Sequence, residues 1–305
     1  MSRALVFALV LCACGSTSTV VTSAGGGMAG TGGSGGSGGS GGRAGGGSSS
    51  TGGSGGYTDG CSDASKTVYV IDSDSTFSAF DPLTKTFRPI GSLSCPTSDA
   101  TATPFSMSVA RDAFAYVLYN NGEVFKVSTS NLACTPTAWQ PNVTFRRFGM
   151  GFSTDAPGST SETLFIAAGS MSMTTSTLGR LSLDNFMAQA GPTIVGSPEL
   201  TGTGDAQLWG FFPQGAANPF VARIDKSTGA FLSNYPAPAL AGVARRWAFA
   251  FWGGRFWIFF QRDSDASTNV WEMRADDGTV TEALNDTGRR IVGAGVSTCA
   301  PIMIN

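Results

Sequence analysis

Five aromatic-centred strand candidates recur along the chain, and their central residues, Tyr69, Tyr116, Phe165, Trp209 and Trp257, stand 47, 49, 44 and 48 residues apart. Each is followed by a polar turn and a second short strand. A period in the forties with several strands per unit predicts an all-β chain folded as a five-bladed β-propeller. A β-sandwich is the alternative, since short strands with polar turns serve both, but the evenness of the spacing argues against it.

In chain order the anchor strands are Val68-Tyr69-Val70-Ile71, Ala115-Tyr116-Val117-Leu118, Leu164-Phe165-Ile166-Ala167, Leu208-Trp209-Gly210-Phe211 and Phe256-Trp257-Ile258-Phe259. Their partners run from Phe77 to Asp81, Glu123 to Ser128, Leu178 to Leu183, Phe220 to Asp225 and Val270 to Ala275. Turn chemistry follows in several units, as in Asp225-Lys226-Ser227-Thr228-Gly229 and Asp276-Asp277-Gly278. Units two to five carry a further strand ahead of the anchor, for example Phe105-Ser106-Met107-Ser108-Val109, Phe148-Gly149-Met150-Gly151-Phe152 and Trp247-Ala248-Phe249-Ala250-Phe251. Unit one lacks it, because only Ser62 to Lys66 separate Cys61 from its first strand. The chain ends instead on an orphan of the right type, Ile291 to Val296, which is expected to become the innermost strand of the first blade.

Behind the N-terminal region four cysteines remain, Cys61, Cys95, Cys134 and Cys299, which allow three disulfide pairings. The proposed closure pairs Cys61 with Cys299 beside the seam and leaves Cys95 and Cys134, near the ends of units one and two, to staple adjacent blades. No two of them have zinc-ligand spacing and the chain has no histidine, so no metal site is expected. The missing histidine also excludes Ser-His-Asp and Cys-His catalysis. Carboxylate chemistry stays open, yet Asp155 and Asp205 are too few and too irregularly placed to receive roles, and no catalytic residue is assigned.

Other conspicuous residues have plain structural readings. The run from Trp247 to Phe260 reads as core packing around a Gly253-Gly254 hairpin turn, the alternative being an exposed aromatic platform for sugars. Asp72-Ser73-Asp74 and Asp263-Ser264-Asp265 read as solvated turns more than calcium loops. Arg146-Arg147 and Arg245-Arg246 read as salt-bridged strand ends, the alternative being an acidic ligand at the ring mouth. With a net charge of −2 and 13% charged residues, the chain offers no basic face for nucleic acid.

The N-terminus differs from all of this. Arg3 precedes an apolar run from Ala4 to Leu11, too short to span a bilayer, followed by small residues and a cysteine: an export signal. Leu11-Cys12-Ala13-Cys14 resembles the bacterial lipobox, which implies removal of residues 1–13 and acylation of Cys14 by fatty acids such as palmitate. From Gly25 to Gly56 the chain is mostly Gly with Ser, Thr and Ala, so residues 14–60 are expected to form a flexible tether on the order of 35 to 40 Å end to end. Residues 61–305 form the propeller domain. Gly15, in place of the aspartate that retains some lipoproteins at the inner membrane, points to the outer membrane of the cell envelope.

Val68-Tyr69-Val70-Ile71-Asp72, followed by Ala79-Phe80-Asp81-Pro82-Leu83-Thr84 and Phe87, resembles the repeat of bacterial β-propellers of the YVTN and quinoprotein-like kind. The whole chain resembles Gram-negative lipoproteins with a Gly-rich tether and a propeller head. The resemblance implies a location and a shape; no quinoprotein cofactor residue carries over, and no cofactor is expected. The expected function is a membrane-tethered, non-catalytic binding or scaffold module that holds an envelope protein or polysaccharide through propeller loops. The alternative is a carboxylate-dependent glycoside hydrolase or lyase.

Overall fold

A computed structural model describes residues 60–169, 174–213 and 218–304; the signal region, Cys14 and the tether up to residue 59 lie outside them. Ser62 caps a one-turn helix, α1 (Asp63–Lys66), by accepting a hydrogen bond from the Ser65 N–H at 3.2 Å. Among the described residues the rest of the regular structure is β, apart from a 3-10 turn at Pro238–Leu240.

The first sheet contains β1 (Val68–Asp72), β2 (Thr76–Asp81) and β3 (Thr86–Ser92). The second contains β4 (Pro104–Val109), β5 (Phe114–Tyr119), β6 (Val124–Ser128) and β7 (Cys134–Pro136). The third contains β8 (Phe148–Thr154), β9 (Glu162–Ala168), β10 (Thr175–Leu181) and β11 (Ala188–Val195). The fourth contains β12 (Glu199–Gly202), β13 (Leu208–Phe212), β14 (Phe220–Ile224) and β15 (Phe231–Pro236). The fifth contains β16 (Ala244–Trp252), β17 (Arg255–Arg262), β18 (Asn269–Arg274) and β19 (Val280–Leu284). The last strand, β20 (Ile291–Gly295), pairs antiparallel with β1 and completes the first sheet in the order β20-β1-β2-β3. Five separate four-stranded sheets exclude the two-layer sandwich: the chain is a five-bladed β-propeller closed by its C-terminal strand.

Strand alternation builds the core. In β1, Tyr69 and Ile71 pack with Met107 and Val117 of blade 2, while Val68 and Val70 pack with Trp257 and Phe259 of blade 5. The same division recurs around the ring, giving five apolar clusters, each shared by two neighbouring blades. All five anchor aromatics are turned the same way, each into the cluster it shares with the following blade; their even spacing reflects equivalent positions.

The outermost strands are the part the sequence concealed. β3, β15 and β19 have interrupted, largely exposed burial patterns, so they look like turns. The turn before each outermost strand holds one residue in the left-handed region: Lys85, Leu132, Phe186, Gly229 and Gly278. In blade 4, Asp225 accepts from the Ser227 and Thr228 N–H groups at 2.8 and 2.9 Å and from the Ser227 hydroxyl. Those bonds, chiefly the Ser227 hydroxyl, hold its carboxyl down at about 2.

Beyond the β1–β20 ladder, a disulfide and one arginine hold the seam. The Cys61–Cys299 disulfide joins residues 238 apart in sequence, with Cα atoms 5.7 Å apart. The Arg289 guanidinium, just before β20, contacts Asp72 at 2.8 Å, donates to the Ser78 hydroxyl at 2.9 Å and lies over the Phe87 ring at 4.8 Å. Asp72 is therefore no solvated turn residue. Its register position opposite Ile291 buries it, and burial, opposed by Arg289, pushes its carboxyl up to about 6. Cys95–Cys134 ties the connection leaving blade 1 to β7 on the outside of blade 2.

The axial cup, a candidate functional site

The five innermost strands, β20, β4, β8, β12 and β16, surround the axis and run in one direction, so all begin at one face, the mouth, and end at the other. Their axial edges have no strand partner, and neighbouring blades satisfy several of the free N–H groups with side chains. The Phe152 N–H donates to the Ser108 hydroxyl, the Phe251 N–H to the Thr201 hydroxyl and the Ile291 N–H to the Thr268 hydroxyl, at 3.2, 3.2 and 3.0 Å. Glycine lets these strands approach each other. A Cβ on Gly202 would fall on the Phe152 carbonyl oxygen, and one on Gly151 would stand 2.8 Å from the Leu200 carbonyl carbon and the Thr201 nitrogen.

At the end opposite the mouth the axis is covered. Ser297, Thr298, Cys299 and Ala300 are buried there. The Ser297 hydroxyl donates to the Ser65 carbonyl at 2.7 Å, and the Thr298 hydroxyl donates to Glu162 of blade 3 at 2.7 Å while accepting from Arg111 of blade 2 at 3.2 Å. The Pro301 carbonyl accepts from the Gly253 N–H of blade 5 at 2.7 Å. Asp155 and Asp205, the acids weighed from sequence, belong to this end and are engaged locally. Asp155 accepts from the Thr163 hydroxyl at 2.6 Å, and Asp205 from the Thr203 hydroxyl and the Gln207 amide.

The mouth opens into a cavity of about 410 Å3. All five blades line it: Ser73 and Val292 from blade 1, Thr103 and Phe105 from blade 2, Arg147 and Gly149 from blade 3, Pro198 and Glu199 from blade 4, and Arg245, Arg246 and Trp247 from blade 5. With one end covered, the space is a cup and not a channel.

Glu199 is the single carboxylate in the lining, and it is 3% exposed. Its Oε1 accepts from the Ser106 hydroxyl at 2.5 Å and from the Met150 N–H at 3.2 Å, so it knots blades 2, 3 and 4 together. Burial pushes its carboxyl up to about 8, against the pull of those two donors, and it is a neutral acid at pH 7.

Above it the wall is cationic. The expected strand-end salt bridges of Arg146-Arg147 and Arg245-Arg246 are not formed: none of the ion pairs among the described residues includes them. For Arg147, Arg245 and Arg246 the physical reason is the lining itself, which offers no ionised acid; Arg146 lies outside that lining. Arg246 donates to the Gln261 side-chain amide oxygen Oε1 at 3.0 Å; burial, then the charges of Arg245 and Arg290, pull it below the usual guanidinium range. Arg147 lies over the Phe105 ring at 5.5 Å.

The sequence missed Glu199 because the innermost strand of blade 4 is only four residues, Glu-Leu-Thr-Gly, with no aromatic. Its position just ahead of the Leu208 anchor strand is the signal that marks it. The Trp247–Phe260 run is core as expected at Phe249, Phe251, Phe256, Trp257, Phe259 and Phe260, around a Gly253-Gly254 turn with φ of 65° and 74°. Trp247 departs from that reading, half-buried on the cup wall. Asp265 pairs with Arg262 at 3.0 Å instead of forming a free turn, and among the described residues no cluster of acids could hold a metal ion.

Fold and site together define a closed five-bladed β-propeller with a one-ended, arginine-lined cup. No protein-family model matches the chain, and no curated protein matches it. The comparison with solved structures finds matches at low identity. A protein of unknown function from Bacteroides caccae is 10% identical with a TM-score of 0.43, over 75% of this chain and 97% of that one. A chain of a nidogen/laminin complex is 11% identical with a TM-score of 0.47, over 78% and 99%. TolB from Acinetobacter baumannii is 12% identical with a TM-score of 0.43, over 72% of this chain and 52% of that one.

Proposed function

We propose that the chain is an envelope lipoprotein whose propeller head is a non-catalytic binding module. In this reading residues 1–13 are removed, Cys14 is acylated, residues 14–60 tether the head, and residues 61–305 bind an envelope protein or polysaccharide through the mouth of the ring. The tether rests on the Leu11-Cys12-Ala13-Cys14 motif and the Gly-rich stretch, and outer-membrane placement on Gly15. The binding role rests on one observation, a one-ended cup whose arginines form no ion pair among the described residues. A hydrolytic role needs two carboxylates roughly 5 to 10 Å apart, and Glu199 stands alone in the cup lining.

The test is crosslinking of the full-length protein in its own cells from a photoreactive residue placed at Thr103, with mass spectrometry of the captured species and of the N-terminal peptide. A defined envelope protein or glycan attached at the mouth, and an acylated Cys14 at the new N-terminus, is the expected result. An N-terminus at Met1 overturns the lipoprotein reading. Capture of nothing at Thr103 overturns the binding role.

A further inference from the structure

Resting on that binding role, we propose that the cup is a subsite for a carboxylated sugar ring, entering as the terminal residue of an acidic glycan. The Arg147, Arg245 and Arg246 guanidiniums receive its carboxylate, and the Trp247 face with the apolar wall beside it receives the ring.

Three observations carry this. The first is unbalanced charge. Arg245, Arg246 and Arg147 line one cavity whose only acid is Glu199, buried beneath them and held neutral by burial. Arg245 and Arg290 add their charge beside Arg246, and none of the ion pairs among the described residues relieves that repulsion. A planar carboxylate matches the guanidinium fork and supplies what is missing.

The second is the apolar share of the wall. Phe105, Pro104, Pro198, Trp247 and Val292 line the same cavity, and the stacking of Arg147 on Phe105 holds that ring in place. A bare inorganic anion would leave this surface wet and unfilled, whereas the C–H face of a sugar packs on it. Around it the Ser73 and Ser197 hydroxyls offer donors and acceptors of the kind a polyhydroxylated ring requires, and the Thr103 hydroxyl, which accepts from the Asn120 amide at 3.2 Å, keeps its own proton to donate.

The third is shape. At about 410 Å3 the cavity lies at the small end of ligand pockets, which run from roughly 300 to 1,000 Å3, so it suits one or two sugar units. Its far end is covered by Ser297–Ala300, so a polymer cannot thread the ring and has to present an end.

The experiment titrates the full-length protein in detergent with digalacturonate, following heat and Trp fluorescence. Parallel titrations use the neutral disaccharide cellobiose, inorganic phosphate and acetate. Digalacturonate is expected to bind at least tenfold more tightly than each of the three, and to weaken as salt is raised. The Arg245→Ala/Arg246→Ala double variant is expected to lose at least tenfold of that affinity with an unchanged melting temperature, since Arg245 is exposed and Arg246 only half-buried. Trp247→Phe is expected to remove most of the fluorescence response. Equal binding of cellobiose overturns the carboxylate assignment, and equal binding of phosphate or acetate overturns the sugar assignment. No digalacturonate binding, with a partner still captured from Thr103, overturns this subsite alone; failure of both overturns the binding role with it.

Discussion

Glu199 shows how much one side chain can be asked to do when water is excluded. It accepts two hydrogen bonds from two different blades while remaining protonated, because the cost of burying its charge exceeds what two donors return. The pH consequence has a definite sign. Its folded pKa of about 8 lies above the usual 4.5, so its contribution to stability is full below about pH 4.5 and is lost as pH rises to about 8. The loss is on the order of 1.4 kcal/mol per pH unit within that window. Glu199→Gln keeps the acceptor and removes the ionisation, so melting curves should diverge above pH 5, the variant being the more stable by a few kcal/mol at pH 8. Equal melting temperatures from pH 5 to 8 would refute the neutral acid. Subtracting the two profiles removes the separate contribution of Asp72, whose folded pKa of about 6 works in the same direction. Nothing in the composition of Glu199's neighbourhood announced it, since its partners Ser106 and Met150 are distant in sequence and meet only when the ring closes.

At the level of elements, what was legible followed burial. Anchor strands such as Val68–Asp72 and Leu208–Phe212 are buried at every position and announced themselves by aromatics at a fixed period. The outermost strands were not legible because one side of each faces solvent, and β7 is only three residues long. The innermost strands were legible where aromatics interleave with glycine, as in β8, and not where they are short and polar, as in β12. Their glycines set the ring diameter. Gly202→Ala drives a methyl into the Phe152 carbonyl and Ser153, and it should cost about 2 kcal/mol or more in urea unfolding, the range for overpacking a dense core. The opposite change is available in turns. Ala113 and Ala206 sit at φ of 60° and 67°, where a Cβ is strained, so Ala113→Gly and Ala206→Gly should each gain about 0.5 to 1 kcal/mol by the same assay.

As a whole, the ring has one weak place, the first blade, which is assembled from both ends of the domain. The Ile291–Val296 orphan made this closure readable in advance, and so did the even number of cysteines; the Asp72–Arg289 pair that clamps the same seam was not, because its members are 217 residues apart. Cys299→Ser should cost about 2 to 5 kcal/mol in denaturant unfolding, with the largest rise in amide exchange at Ile291–Gly295. Unchanged exchange there would mean that strand pairing and the ion pair suffice.

The same seam gives the molecule two poles with separate duties. Cys61 and Cys299 are joined at the pole where the innermost strands end, and the Lys66 backbone carbonyl there accepts from the Trp252 indole N–H at 3.0 Å. Gly60 and Cys61, where the described residues begin, therefore lie at the sealed pole, away from the arginine-lined mouth, so a probe attached beside Cys61 would leave the cup uncovered.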